Sequence, residues 1–147
     1  MYERLLVAFD GSQRSWRALR EGIGLAARHK VELFAVTVLD RLPDYVVAEA
    51  CAPVEVGVVG DMAAARNAEL EALTAEAVNL ALQDGVHLHA EVVAGRIVDS
   101  IVQAVRNHGC DLLIIGLSQH SGLISLLLSH TLFSVAEHAP CSVLAVL

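Results

Sequence analysis

Apolar and polar positions form two alternating kinds of segment along the chain. Short runs rich in Val, Leu, Ile and Ala, several of which end at Asp or Gly, are typical of buried β-strands. Longer stretches between them carry apolar residues three and four positions apart, which is the spacing of an amphipathic helix. The predicted strands are residues 4–9, 31–39, 88–93, 112–116 and 141–147. The helical spacing begins at Ser15, with Ser12 or Ser15 as the cap, and further helices are predicted from Asp61 and Ile97, with a last one that ends near Ala136.

Strand and helix alternate from the first run to the last, and this order predicts the fold class. Parallel strands joined by right-handed helical crossovers produce an α/β domain with helices on both faces of the sheet. We therefore predict one doubly wound domain, residues 1–147, built on a five-stranded parallel sheet. In such folds ligands bind beyond the carboxyl ends of the strands, which places the candidate site after Phe9, Leu39 and Ile115.

Three details of the pattern concern the connections and the packing. Gly22 and Gly24 interrupt the first helix, which suggests that it lies close to a neighbouring element. The segment Asp40–Gly60 contains two prolines and two glycines and is longer than an ordinary α/β connection. It is therefore interpreted as a lid or as a contact between two copies. Leu117–Leu128 is interpreted as a loop that turns apolar before the last helix.

The composition narrows the class of protein. Hydrophobic residues make up 55% of the chain and charged residues 18%, with a mean hydropathy of +0.55. This apolar content argues against a disordered chain. No window reaches the roughly 18 apolar residues that a membrane span requires. Glu3, Arg4 and Asp10 interrupt the N-terminal apolar run, so a signal peptide is not expected either.

The charge balance and the cysteines bear on partners and location. The formal net charge is −7, and such a surface repels phosphate backbones, so neither nucleic acid nor an anionic membrane is expected as a partner. Cys51, Cys110 and Cys141 are odd in number and form no CxxC pair. This pattern favours free thiols in a reducing cytoplasm.

Asp10 is the first candidate for binding chemistry because it follows the first strand directly. Its carboxylate could accept hydrogen bonds from a ribose or from the amino group of adenine. The same carboxylate could instead cap the following helix, whose positive end it complements. The residue alone does not decide between these two roles.

Catalytic and metal-binding patterns are absent from the sequence. It contains no G-x-S-x-G, H-E-x-x-H, G-x-x-x-x-G-K-[ST] or, after the first strand, G-x-G-x-x-G motif, so we predict that the protein is not an enzyme. Gly57-Val58-Val59-Gly60 lacks the lysine of a phosphate loop. The histidines lack the spacing of a metal site and are interpreted as scattered surface residues: His87, His89, His120, His130 and His138.

The last third of the chain carries a family pattern. Residues 116–123, 129–131 and 138–144 together resemble the C-terminal signature of the universal stress protein family. The resemblance extends over the whole chain through residues 10–12 after the first strand, residues 38–40 after the second, and Gly95 before the third helix. It implies a doubly wound five-stranded parallel sheet of the adenine nucleotide alpha hydrolase type, usually dimeric, which in one branch of the family binds ATP.

In that ATP-binding branch, strand four is followed by Gly-x-x-Gly, nine further residues, and then Gly with Ser or Thr. The glycines let backbone amides approach the phosphates, and the hydroxyl at a helix N-terminus is a further donor. Matched onto this chain, the four positions are Gly116, Gln119, Ser129 and His130, so only the first agrees. The chain thus resembles the branch of the family that lacks the motif, and ATP binding is doubtful.

The resemblance implies a non-enzymatic stress-response or regulatory module that acts as a homodimer, with no cofactor expected and with a regulatory protein as a possible partner. The apolar last strand, which would be an exposed sheet edge, is the predicted dimer contact. The alternative is an adenine-nucleotide-binding protein that uses Asp10 and a remodelled Gly116–Thr131 loop. Its candidate binding residues are Ala8, Asp10, Val38, Ile115, Gly116, Gln119, Ser129, His130 and Thr131.

Overall fold

In the part of the chain that the structure describes, five parallel strands and four helices alternate, as the pattern predicts. The computed structural model describes the backbone of residues 1–40, 56–117 and 123–147, and the side chains of these residues except 40, 56–64 and 123–130. The strand order is β3-β2-β1-β4-β5, and every paired strand runs parallel to its neighbour. The elements are β1 Arg4–Ala8, α1 Gln13–His29, β2 Glu32–Asp40, α2 Val56–Gln83, β3 Leu88–Gly95, α3 Ile97–His108, β4 Leu112–Gly116, α4 Leu123–His138 and β5 Ser142–Val146.

The period of two along each strand sorts the apolar side chains onto the two faces of the sheet. In β1, Leu5 and Val7 belong to the core beneath α1 and α2, whereas Leu6 belongs to the core beneath α3 and α4. All three are almost fully buried. Strands covered on both faces read as continuous apolar runs, which is why the central strands were recognisable in the sequence.

The first helix begins at Gln13, so of the two cap candidates, Ser12 and Ser15, Ser12 is confirmed. Ser12 is its N-cap, because the Ser12 Oγ accepts a hydrogen bond from the amide of Ser15 at 3.3 Å. Asp10 therefore does not cap the helix itself. It binds the capping residue instead, which leaves its carboxylate at the end of β1.

Two boundary predictions are wrong at the starts of α2 and α4. Helix α2 begins at Val56, so Gly57 and Gly60, which lie in the segment interpreted above as a long connection, are helical. A glycine costs a helix only about 1 kcal/mol, and a long helical segment that follows can offset this. Helix α4 begins at Leu123, so the predicted loop 117–128 ends six residues earlier than expected. Leucine is a strong helix former, which explains the difference.

The question of a lid or a copy contact at 40–60 falls largely on residues 41–55, outside the described residues.

The two glycines of α1 behave differently. A Cβ on Gly22 would lie 2.9 Å from the Cγ2 of Val7 and 3.3 Å from the Cδ1 of Ile114, so this glycine lets α1 lie close to the sheet as predicted. A Cβ on Gly24 would meet no described atom within 4 Å. The packing prediction is therefore wrong for Gly24.

The described cysteines are free thiols. Cys110 is buried in the core beneath α3 and α4, and Cys141 is half-buried beside the same core. Burial, together with the nearby Cys141, raises the pKa of Cys110 to about 12. In the part of the chain that the structure describes, no helix has the length and apolar character needed to cross a membrane.

Candidate functional site

A cavity of about 260 Å³ opens beyond the carboxyl ends of β1, β2 and β4. Strands β1 and β4 are neighbours in the sheet, but β1 leads to β2 on one side and β4 leads to β5 on the other. The cavity thus lies at the point where the strand order reverses, which is where ligands bind in doubly wound sheets. Its lining residues are Ala8, Phe9, Asp10, Arg14, Ser15, Val36, Val38, Ile97, Ile101, Ile115, Gly116, Leu117, Thr131 and Leu132.

Residues from four separate elements or their ends, all singled out in the sequence, come together around this cavity. Ala8, Val38, Ile115 and Gly116 come from three strands, Asp10 from the turn after β1, and Thr131 from α4. Gln119 lies outside the described residues. Ser129 and His130 lie in α4, at positions whose side chains are not described.

The early start of α4 changes what its backbone can offer to a phosphate. Only the first four amides of a helix lack a carbonyl partner within the helix. In α4 these amides belong to residues 123–126, so the amides of Ser129 and His130 are engaged inside the helix. The spacing of the ATP-binding motif would place free amides at those two positions. This backbone does not provide them.

Asp10 is held by the turn that joins β1 to α1. Its Oδ1 accepts hydrogen bonds from both the amide and the hydroxyl of Ser12, the former at 2.9 Å. Its own amide donates to the Oγ of Ser15 at 3.3 Å. Its Oδ2 lies 3.5 Å from the Nη2 of Arg14, and about half of the side chain remains exposed. The turn therefore fixes one carboxylate oxygen of this lining residue, whereas the other makes only a loose ion pair among the described contacts.

The protonation state of Asp10 follows from these contacts. Burial by itself raises the pKa of this carboxyl, but the hydrogen bonds from Ser12 and Ser15 and the charge of Arg14 outweigh it, so the pKa is lowered. At neutral pH Asp10 is ionised, and it acts as a hydrogen-bond acceptor rather than as a proton donor.

Gly116 has a packing role that its place in the family pattern did not indicate. A Cβ at this position would overlap the main-chain carbonyl of Arg14 and lie 3.0 Å from the amide nitrogen of Ser15. The end of β4 and the first turn of α1 are thus in contact through their backbones. Because Gly116 has no side chain, the N-terminus of α1 can border the cavity.

Sequence reasoning missed several lining residues, above all Arg14. Ile97 and Ile101, at the start of α3, form an apolar wall, and Ser15 is buried beneath Asp10. For Arg14 the available signal is its place in the chain: a helix capped by Ser12 has Arg14 in its first turn, next to the end of β1.

Among the described residues, no group of three or more His, Cys, Asp or Glu side chains is arranged to hold a metal ion. His87 and His89 are close, with ring centroids 4.5 Å apart, but they lie at the edge strand β3, away from the cavity. The cavity lining therefore offers one carboxylate, one guanidinium, hydroxyl groups and apolar walls.

Comparison with known proteins identifies the family. The model of the universal stress protein family matches residues 1–146. A universal stress protein of Methanocaldococcus jannaschii is 27% identical over 99% of this chain and 82% of its own length. Among solved structures, the universal stress protein UspA of Lactobacillus plantarum superposes with a TM-score of 0.80 at 22% identity, covering 99% of this chain and 98% of its own.

A second solved structure, a universal stress protein in complex with cAMP, superposes with a TM-score of 0.74 at 26% identity, over 99% of this chain and 97% of its own. The fold, the strand order and the family match over almost every residue lead to the same assignment. This chain belongs to the universal stress protein family.

Proposed function

We propose that this protein is a non-enzymatic regulatory module of the stress response that binds an adenine nucleotide in the cavity at the ends of β1, β2 and β4. The observation that carries the proposal is the convergence of Asp10 with apolar residues of three strands around one cavity at the strand-order reversal. A relative of the same fold was solved in complex with cAMP, which supports this class of ligand.

The apolar walls suit the base of such a ligand. Val38 and Ile115 extend from β2 and β4, and Ile97 and Ile101 lie across the cavity from α3. A flat ring inserted between them replaces water against apolar surface. The cavity volume of about 260 Å³ is slightly below the roughly 300–1,000 Å³ of common ligand pockets. It therefore suits the base and sugar of one nucleotide.

The carboxylate of Asp10 is suited to bind the sugar or the polar edge of the base of the nucleotide. An ionised carboxylate accepts hydrogen bonds from hydroxyl and amino groups, and such charge-assisted bonds are stronger than neutral ones. The Oδ2 of Asp10 is the oxygen that the turn leaves available. Recognition of a ribose hydroxyl or of the adenine amino group at this atom would select nucleosides over bare phosphate.

A binding role fits the lining better than a catalytic one. Asp10 is the acidic side chain among the described lining residues, and its lowered pKa makes it a poor general base at neutral pH. With α4 starting at Leu123, the amides of Ser129 and His130 do not form a triphosphate cradle. Tight ATP binding is therefore not part of the proposal.

We also propose that the protein acts as a homodimer joined through β5. This strand pairs only with β4 among the described strands, and its outer edge is free there. Residues 141–147 carry no charged side chain, and Leu144 and Leu147 are exposed. An uncharged apolar edge of this kind is a ready surface for pairing with a second copy.

Nucleotide binding is testable by thermal-shift titration with AMP, cAMP, ADP and ATP, with and without magnesium, and with GMP to test base selectivity. We expect adenine nucleotides to raise the melting temperature of the wild-type protein. Asp10→Ala abolishes this shift, because it removes the carboxylate that faces the cavity. Asp84→Ala is the matched control, because Asp84 is exposed at the end of α2 and does not line the cavity. No shift at millimolar nucleotide, or equal shifts in Asp10→Ala and wild type, would contradict the proposal.

A further inference from the structure

One cation lies in the described cavity lining of a protein whose net charge is −7. It is Arg14, in the first turn of α1. The chain has ten Lys and Arg residues against seventeen Asp and Glu, so a guanidinium at the candidate ligand site is conspicuous. About a third of the Arg14 side chain is exposed, so its guanidinium is accessible from the cavity.

The contacts of Arg14 leave most of its hydrogen-bonding capacity available. Its described ion pair joins Nη2 to the Oδ2 of Asp10 at 3.5 Å. Charge-assisted hydrogen bonds are normally about 2.7–2.9 Å long, so this pair is loose. A guanidinium carries five N–H donors in a planar fork that matches two oxygens of a phosphate. Arg14 can therefore turn to an anion while Asp10 stays in place through Ser12.

The backbone around Arg14 reinforces its positive charge. The absence of a side chain at Gly116 brings the first turn of α1 against the end of β4, at the border of the cavity. The N-terminal end of a helix carries a partial positive charge that favours anions. Arg14 and the first turn of α1 thus both border the cavity, whose lining also includes Thr131.

We propose that Arg14 binds the phosphate of the nucleotide and takes the place of the glycine-rich loop that this chain lacks. This inference rests on the proposed function and specifies its ligand. Asp10 receives the sugar or base edge and Arg14 receives the adjacent phosphate, so the neighbouring opposite charges of the cavity match the two polar parts of a nucleoside monophosphate.

The charges of Arg14 and Asp10 also determine how many phosphates the preferred nucleotide carries. The first phosphate gains the charge of Arg14, whereas further phosphates add negative charge close to ionised Asp10. The preferred ligand is therefore an adenine nucleotide with a single phosphate, as a monoester or a cyclic diester. ADP and ATP gain nothing further from the described lining residues.

Calorimetric titration of adenosine and AMP against three proteins tests the role of Arg14. The wild-type protein binds AMP about tenfold or more tightly than adenosine, which is the effect of one charge-assisted contact. Arg14→Gln reduces this ratio to near one, and its continued binding of adenosine shows that the variant is folded. Arg20→Gln removes the same charge from the same helix outside the described cavity lining, and it retains the wild-type ratio.

The outcomes separate this inference from the function on which it rests. Equal affinities for adenosine and AMP in the wild type, or an AMP preference that survives in Arg14→Gln, would overturn the role of Arg14 while leaving adenosine binding intact. ATP binding much more tightly than AMP would overturn the single-phosphate preference. Absence of binding by both adenosine and AMP would overturn the proposed function, and the role of Arg14 with it.

Discussion

At the scale of single residues, Asp10 has contacts that serve both the fold and the candidate site. Its Oδ1 holds Ser12, and Ser12 in turn caps α1, so the carboxylate stabilises the turn between β1 and the helix. Its Oδ2 lies 3.5 Å from the Nη2 of Arg14, and the residue lines the cavity. Holding the capping residue and binding a ligand are therefore compatible roles, because each uses a different oxygen.

The charge of Asp10 predicts a pH dependence of stability. A carboxyl whose pKa is lowered on folding stabilises the native state above its ordinary pKa of 3.8, and this contribution is lost as the pH falls through the native value. We expect Asp10→Asn to lower the free energy of unfolding by roughly 0.5–1 kcal/mol at about pH 7, since the side chain is half exposed. The difference from wild type shrinks toward about pH 3.

Urea unfolding monitored by tryptophan fluorescence measures this difference, because Trp16 is the single tryptophan of the chain and contacts Phe9 edge-on, with ring centroids 4.8 Å apart. A loss of stability that is the same at both pH values would show that the shape of the Asp10 side chain matters and its charge does not.

At the scale of the elements, the approach of α1 to the sheet depends on two glycines at different places. Gly22 lies over Val7 and Ile114 in the middle of the sheet. Gly116 lies at the end of β4, against the backbone of Arg14 and Ser15. Together they let α1 lie along β1 and β4, which positions its first turn at the cavity.

Substitution of glycine by alanine tests this contact. Gly116→Ala would place a Cβ against the carbonyl of Arg14, and we expect it to destabilise the protein by about 1–3 kcal/mol, as overpacking generally does. Gly24→Ala is the matched control. Its Cβ meets no described atom within 4 Å, so the better helix propensity of alanine should stabilise by about 0.5–1 kcal/mol.

Chemical denaturation of the two variants measures both changes. Unchanged stability in Gly116→Ala would mean that α1 and β4 can separate at no cost, and would contradict the close backbone contact. A loss in Gly24→Ala would mean that something covers this face of α1.

The elements also show where sequence patterns stop being reliable. The limits of β4 were predicted correctly because its apolar run is short and ends sharply at Gly116. The starts of α2 and α4 were missed because both lie in segments that are apolar on all sides, where helical periodicity gives no signal. This error affects the candidate site, because part of the Gly116–Thr131 segment, which was expected to be a loop, is helical.

At the scale of the whole molecule, the sheet has two different edges. Edge strand β3 carries His89 and Glu91, and polar or charged side chains of this kind discourage pairing with another sheet. Edge strand β5 has no charged side chain, and its Leu144 is more than a third exposed. The difference favours β5 as the contact between two copies.

The proposed dimer predicts an asymmetry between the two edges. Leu144→Lys introduces a charge at β5 and should convert the dimer into a monomer, because the charge would be buried at the contact. Val92→Lys makes the same kind of change at an exposed residue of β3 and should leave the dimer intact. Size-exclusion chromatography with light scattering measures the oligomeric state of both variants. A monomeric wild type at micromolar concentration, or dissociation by Val92→Lys alone, would refute the β5 contact.

The amino-acid sequence by itself determined the alternation of strands and helices and, to within one residue, where most strands end. It also identified Asp10 and three apolar lining residues, Ala8, Val38 and Ile115, as candidates for one site. These features are local or periodic. Helices and strands repeat their side-chain directions within a few residues, so a short stretch of sequence is enough to show the pattern. Parallel strands then bring their carboxyl ends to one edge, so candidates far apart in the chain could be assigned to the same place.

Only the tertiary structure decided which strands are neighbours and which distant residues are in contact. The order β3-β2-β1-β4-β5 makes β1 and β4 neighbours, brings the first turn of α1 against Gly116, and so places Arg14 in the cavity. It also makes β5 an edge strand, with its apolar side chains exposed. Such contacts join residues about a hundred positions apart, and no local pattern encodes them, because they depend on which strands pair and not on the sequence of any one strand.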